Sequence, residues 1–188
     1  MLKNVIKEMN SLGMNIVSRA KSNLSNSNSS GDLANSLEYK IDQSDKDDVK
    51  LNFYALEYGK FIDQGVQGAD PQAMPQGSLA RYNKAPGSPY KFGTGSYTGT
   101  GSLRGSIDKW VIQKGIPNVR DAKGKFIKRK TMVYLISRSI WYTGIKATQF
   151  FTKAQDEEAR GIQAKFAMAY SRDLDDQFKN SRKKRRRK

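Results

Sequence analysis

Residues 65 to 101 carry half of the chain's sixteen glycines and four of its five prolines, and their apolar residues keep neither a helical nor a strand period. Loops longer than about 12–15 residues without secondary structure are uncommon and are usually functional or unfolded. The core must therefore come from the flanks. The stretch itself reads as a long Gly/Pro-rich excursion, the start of an insertion over 65–130. Only 37% of the chain is hydrophobic, below the average of about 45–50%, so a core depends on how tightly the apolar residues cluster.

The flanks are periodic. Leu2, Val5, Ile6, Met9, Ile16, Val17, Ala20 and Leu24 lie on one helical face, with Gly13 as its weak point. The polar run 25–31 reads as a loop. Leu37, Tyr39 and Ile41 alternate with polar residues, as do Val49, Leu51 and Phe53. These two strands are close enough to pair as an antiparallel hairpin. From Ala55 the spacing turns helical, and a short helix ends near Gln64-Gly65. Phe53, Tyr54, Tyr58 and Phe61 fall within nine positions, and we expect them to face one core, with Tyr58 and Phe61 against the last helix near Phe150 and Phe166.

Beyond the excursion, Leu103, Ile107, Trp110 and Val111 share a helical face, with Ser102 as N-cap and Gly115 and Pro117 as a stop. Residues 118–130 form a basic, turn-rich link. A helix over about 131–143 turns Met132, Leu135, Ile136, Ser139 and Ile140 inward and ends at Gly144. A last helix, about 150–180, carries an apolar face from Phe150 through Phe166, Tyr170 and Leu174 to Phe178.

The chain has no cysteine and no histidine. That removes thiolate chemistry, the commonest general base and the commonest metal ligand. Gly93 to Ser102 lacks the Gly-Lys-Ser/Thr ending of a phosphate loop. Asp42 to Asp48 lacks the glycine and glutamate of a calcium loop. Asp175-Asp176 and Glu157-Glu158 are adjacent on a helix, so their side chains diverge by about 100° and do not face across a cleft. We expect no catalytic residues, no metal, no cofactor and no enzyme activity. No apolar run approaches the roughly 20 residues of a membrane span, so no membrane partner is expected.

Net charge is +16, and each of the last seven residues, Arg182, Lys183, Lys184, Arg185, Arg186, Arg187 and Lys188, is basic. Removing those seven charges still leaves +9. Such a chain favours polyanions, and we expect these seven residues to form a basic C-terminal tail, 181–188, that contacts one.

Three ordered blocks carry a resemblance. They are Gly31-Asp-Leu33-Ala-Asn-Ser36-Leu37, Tyr54-Ala-Leu-Glu-Tyr58 through Asp63-Gln-Gly65, and Gly144-Ile145 through Phe150-Phe151-Thr-Lys-Ala154. In this order, over roughly 1–65 and 131–180, the chain resembles the tail-completion, or head–tail joining, proteins of tailed bacteriophages. Ser30 stands where the family's first block carries threonine.

The resemblance implies a single α+β neck-protein domain, 1–180, with an N-terminal helix, a small antiparallel sheet, the long insertion and C-terminal helices. It implies a homo-oligomeric ring of six or twelve copies in the virion neck, assembled in the host cytoplasm. The ring would lie between a portal-side connector and tail proteins, with non-specific DNA contact as DNA passes through. The excursion would then be an arm, with Tyr82, Tyr90, Phe92 and Tyr97 as its interface. The other reading of the charge is a free-standing basic nucleic-acid-binding protein.

Overall fold

The computed structural model describes residues 2–25, 31–43, 48–70, 82–93, 103–117 and 119–185. The fold is α+β. The chain forms two compact units, one of Met1–Gly59 with Gln149–Lys188 and one of Lys60–Thr148. The second unit is larger than the insertion expected at 65–130, because the helix and strand before residue 148 belong to it.

The first unit is built on α1 (Lys3–Ser25), followed by α2 (Asp32–Ser36), β1 (Glu38–Gln43) and β2 (Val49–Tyr54). β1 and β2 pair antiparallel, with Tyr39 opposite Phe53 and Ile41 opposite Leu51. The expected alternation holds: Tyr39, Ile41, Val49, Leu51 and Phe53 are half-buried, while their neighbours Lys40 and Lys50 are exposed. The core of α1 is Ile16, Val17, Ala20 and Leu24.

Gly13 is a point of close approach rather than a weak point. A Cβ there would lie 2.5 Å from the Tyr39 ring, so only glycine lets the ring lie on the helix, and the Tyr39 hydroxyl donates to Asn10 Oδ1 at 2.8 Å. This contact offsets the roughly 1 kcal/mol that glycine costs in a helix interior.

The expected single last helix is two. α6 (Phe150–Ala159) and α7 (Ile162–Arg185) break at Gly161, whose φ is +73°. Phe150 and Ala154 are buried, and the Phe151 ring meets Phe53 edge-on at 5.2 Å.

The second unit contains most of α3 (Gly59–Gln64), then β3 (Val66–Gln67), α4 (Leu103–Gln113), α5 (Arg129–Thr143) and β4 (Gly144–Ile145). β3 and β4 pair antiparallel. A Cβ on Gly68 would sit 1.9 Å from the Tyr142 carbonyl oxygen, and one on Gly144 would sit 2.2 Å from that of Val66. The two backbones meet at van der Waals range only because neither residue has a side chain.

Part of the excursion is stitched into this unit. Gln67 N–H donates to Tyr90 O, Phe92 N–H to Gln67 O, and Lys84 N–H to Thr143 O. Ala85 and Ser88 are buried, and Ser88 Oγ donates to Gly65 O at 2.7 Å. Residues 82–93 are thus held to the body and do not form a separate arm. Residues 71–81 and 94–102, with the expected cap Ser102, lie outside the described residues.

α4 and α5 pack through Val111, Met132 and Val133, with Ile107, Ile116, Ile127 and Ile136 around them. The inward face of α5 differs from the expected one. Val133 and Ser137 are inside and Leu135 is 48% exposed, because the helix turns 132, 133 and 136 toward α4. Ser137 tolerates burial by donating to Val133 O at 2.7 Å. Trp110, expected on the inward face of α4, is 39% exposed.

Candidate functional site

The aromatic cluster at 53–61 is the largest correction to the sequence reading. Only Phe53 is half-buried; Tyr54, Tyr58 and Phe61 are 44%, 42% and 37% exposed. α3 begins at Gly59 and buries Gly59 and Asp63, an i, i+4 pair, so Phe61 falls on its other side, while Tyr54 and Tyr58 lie before the helix. Tyr54, Leu56 and Tyr58 are exposed apolar side chains of the first unit, although the clustering of Tyr54 and Tyr58 predicts core.

α7 carries a second such surface. Ala169 and Asp173 are buried, Phe166 is half-buried, and Tyr170, Leu174 and Phe178 are exposed, as is Met168. The geometry explains why the sustained apolar face expected here does not stay inside. Steps of four residues drift about 40° around a helix. The row 166, 170, 174, 178 therefore starts beside the buried face and rotates into solvent. From Leu174 to Lys183 every residue is exposed, and at about 1.5 Å per residue this length of helix extends well beyond its last buried contact.

That contact is made by the Asp173 carboxylate. Its oxygens accept from Asn4 N–H at 2.9 and 3.0 Å, Val5 N–H at 3.0 Å and Asn4 Nδ2 at 2.9 Å. Leu2 occupies the capping position of α1, since Ile6 N–H donates to its carbonyl, and leucine has no oxygen to offer the free N–H groups of the first turn. Asp173 caps α1 from another helix. Burial pushes its pKa up, but the Asn4 and Val5 donors push it down further and hold it below the usual carboxylate range.

On the same unit, Arg19 joins α1 to α6. Its guanidinium reaches Glu158 at 2.7 Å and Glu157 at 2.8 Å. The hydrogen bond and charge of Glu158, with those of Glu157, raise its pKa against partial desolvation.

Two of the four expected interface aromatics have partners inside the second unit. The Tyr90 ring meets Phe61 edge-on at 4.7 Å, and Phe92 lies on Trp141 at 5.4 Å. Tyr82 is 61% exposed. Tyr97 lies outside the described residues. Of the expected polyanion contacts, Arg182, Lys183, Lys184 and Arg185 continue α7 as helix, so the basic run does not begin as a separate tail at 181. Arg182 and Lys183 are exposed. Arg186, Arg187 and Lys188 lie outside the described residues.

The basic stretch whose residue pattern predicts a link is folded. Arg120 and Phe126 bridge antiparallel. Ile127 N–H donates to Val119 O, and Asp121 N–H to Lys125 O. The Asp121 carboxylate accepts from the N–H groups of Lys123 and Lys125, both at 2.9 Å. The Arg120 guanidinium stacks 4.0 Å from the Phe126 ring centre.

Among the described residues, no group of three His, Cys, Asp or Glu is placed to hold a metal ion, and no helix is long and apolar enough to cross a membrane. The described features with binding character are exposed apolar strips and basic surfaces. Comparison with family models, characterised proteins and solved structures returns no match for this chain.

Proposed function

We propose that this chain is a structural subunit of a tailed-phage neck, assembled as a homo-oligomeric ring that joins a portal-side connector to the tail and lets DNA pass. The observation that carries the reading is the exposed row Tyr170, Leu174 and Phe178 on α7, with Met168 beside it. A helix that leaves its own core while keeping an apolar row is suited to a neighbouring subunit. The third block that carries the family resemblance also has structural work here: its Gly144–Ile145 pairs with Val66–Gln67, just after the second block.

The test is the size of the purified chain, alone and with a portal-side connector, by light scattering and electron microscopy. The expected result is a ring of six or twelve copies that Leu174→Asp with Phe178→Asp reduces to monomer. A parent chain that stays monomeric in both settings overturns the proposal. The cations between residues 104 and 130, which apart from Arg129 have no carboxylate partner among the described residues, favour a second reading, a free-standing nucleic-acid-binding protein. A monomer or dimer that binds DNA would select it.

A further inference from the structure

We infer that the surface formed by α4, the hairpin 119–127 and the first turn of α5 is a sequence-independent contact for the phosphate backbone of duplex DNA. Residues 103–130 contain nine cations and two carboxylates. Asp108 is bound to Arg129 at 3.2 Å. Asp121 is occupied within its own turn by the N–H groups of Lys123 and Lys125. Apart from Arg129, none of the cations has a carboxylate within ion-pair distance among the described residues.

The cations are presented on folded elements. Asp121 fixes the hairpin tip, so Lys123 and Lys125 start from a set backbone. Arg120 is held by its stacking on Phe126 and by donation to Gly124 O at 2.9 Å. Preorganisation of this kind lowers the ordering cost of binding. Lys128, Arg129 and Lys130 crowd the start of α5, which has no acidic residue in its first turn. The partial positive charge of a helix N-terminus disfavours cations there, so the chain maintains an electrostatic cost that a bound polyanion would relieve.

The chemistry selects nucleic acid over an acidic protein. Six of the nine cations are lysine. Lysine is depleted in protein–protein interfaces but serves well as a point charge for phosphates. The inference stands apart from the ring reading, because it needs only the folded second unit.

The test is binding of the full chain to two duplexes of unrelated sequence between about 50 and 200 mM salt. The variant is Lys123→Gln, Lys125→Gln and Lys128→Gln together, three exposed residues that should leave thermal melting unchanged. The slope of log K against log salt should shrink by about 0.9 for each lost phosphate contact, close to 3 in all, equally for both duplexes. A chain ending at Ser181 should retain this component. The control, Lys3→Gln, Lys7→Gln and Lys21→Gln, removes the same charge from α1 and should change the slope by less than about 1. An unchanged slope in the first variant, or an equal change in the control, overturns the inference. So does competition by poly-glutamate as effective, charge for charge, as DNA itself. Size measurements on the same samples decide the ring reading separately.

Discussion

Asp173→Asn should destabilise the chain by more than a surface carboxylate change allows. The native carboxylate receives two backbone N–H groups and one side-chain amide from the first turn of α1. Loss of a helix cap costs about 0.5–2 kcal/mol, and hydrogen bonds to a charged group contribute about 1.5–3 kcal/mol net. The same bonds underlie both figures, so they overlap, and the expected loss is about 2–3 kcal/mol. For a chain of this size, each kcal/mol corresponds to about 2–4 °C in melting temperature, so the drop should be about 4–12 °C. Asparagine preserves the volume but turns an amide N–H toward at least one donor, so it should fare little better than alanine. Asp175→Asn and Asp176→Asn, exposed on the same helix, should stay within about 0.5 kcal/mol of the parent.

The pH dependence provides an independent check. A carboxyl whose folded pKa is lowered stabilises fully above its unfolded pKa of about 3.9. That contribution is lost as pH falls through the folded value. The gap between parent and Asp173→Asn should be constant from about pH 5 to 7 and should close below about pH 4. Urea denaturation at several pH values measures it. A variant melting within a degree of the parent at neutral pH, or a gap that widens on acidification, would refute the capping argument.

Gly13→Ala should be destabilising by about 1–2 kcal/mol, since overpacking against the Tyr39 ring outweighs the gain in helix propensity. In a Tyr39→Ala background the same change should instead stabilise by up to about 1 kcal/mol, and denaturant melts that show no change of sign would disprove the close approach. Phe61→Ala should cost less than about 2 kcal/mol, as for a partly exposed ring with one edge-on partner, and a loss of 3 kcal/mol or more in urea titration would return Phe61 to a core. Deletion of 82–93 should lower the melting temperature of the chain by removing buried Ala85 and Ser88, and an unchanged melt would show that the segment is an independent arm.

Local period made part of this fold legible. Tyr39, Ile41, Leu51 and Phe53 alternate, and the hairpin forms in that register. α1 follows its apolar spacing and α5 stops at Gly144 as expected, whereas the break at Gly161 leaves no mark in the apolar spacing. What could not be read is set by backbone contact. β3, β4 and the course of 82–93 depend on hydrogen bonds to main-chain groups of Gly65, Gln67, Tyr90 and Thr143, which leave no hydropathy pattern. The exposed aromatics mislead for a related reason. Hydrophobicity says that Tyr54, Tyr58 and Phe61 prefer burial, but not whether the turn at Gly59 gives them a core to enter. For the candidate surfaces, composition located the positive charge but not its form. The sequence reading placed a link at 118–130 and a tail from 181, and the structure places a fixed hairpin and a helix.

The cap on α1 also bears on what α7 can do. Asp173 is buried and residues 174–183 after it are exposed, and its bonds to Asn4 and Val5 fix the rotation of the helix at that point. Leu174 and Phe178 follow within two turns, with Arg182 one turn further on, all in one continuous helix. Their direction is therefore set by a bond network one to nine residues away, and a change at Asp173 should misdirect the exposed row without touching it. Cations at the helix C-terminus also complement its partial negative charge, which favours helix over extended chain for Arg182–Arg185 and shortens their reach from about 3.3 Å to about 1.5 Å per residue. Under the neck proposal, Asp173→Asn should then weaken assembly even at temperatures where the chain stays folded. Light scattering well below the melting transition checks this, and full assembly of a folded variant would show that the cap serves stability alone.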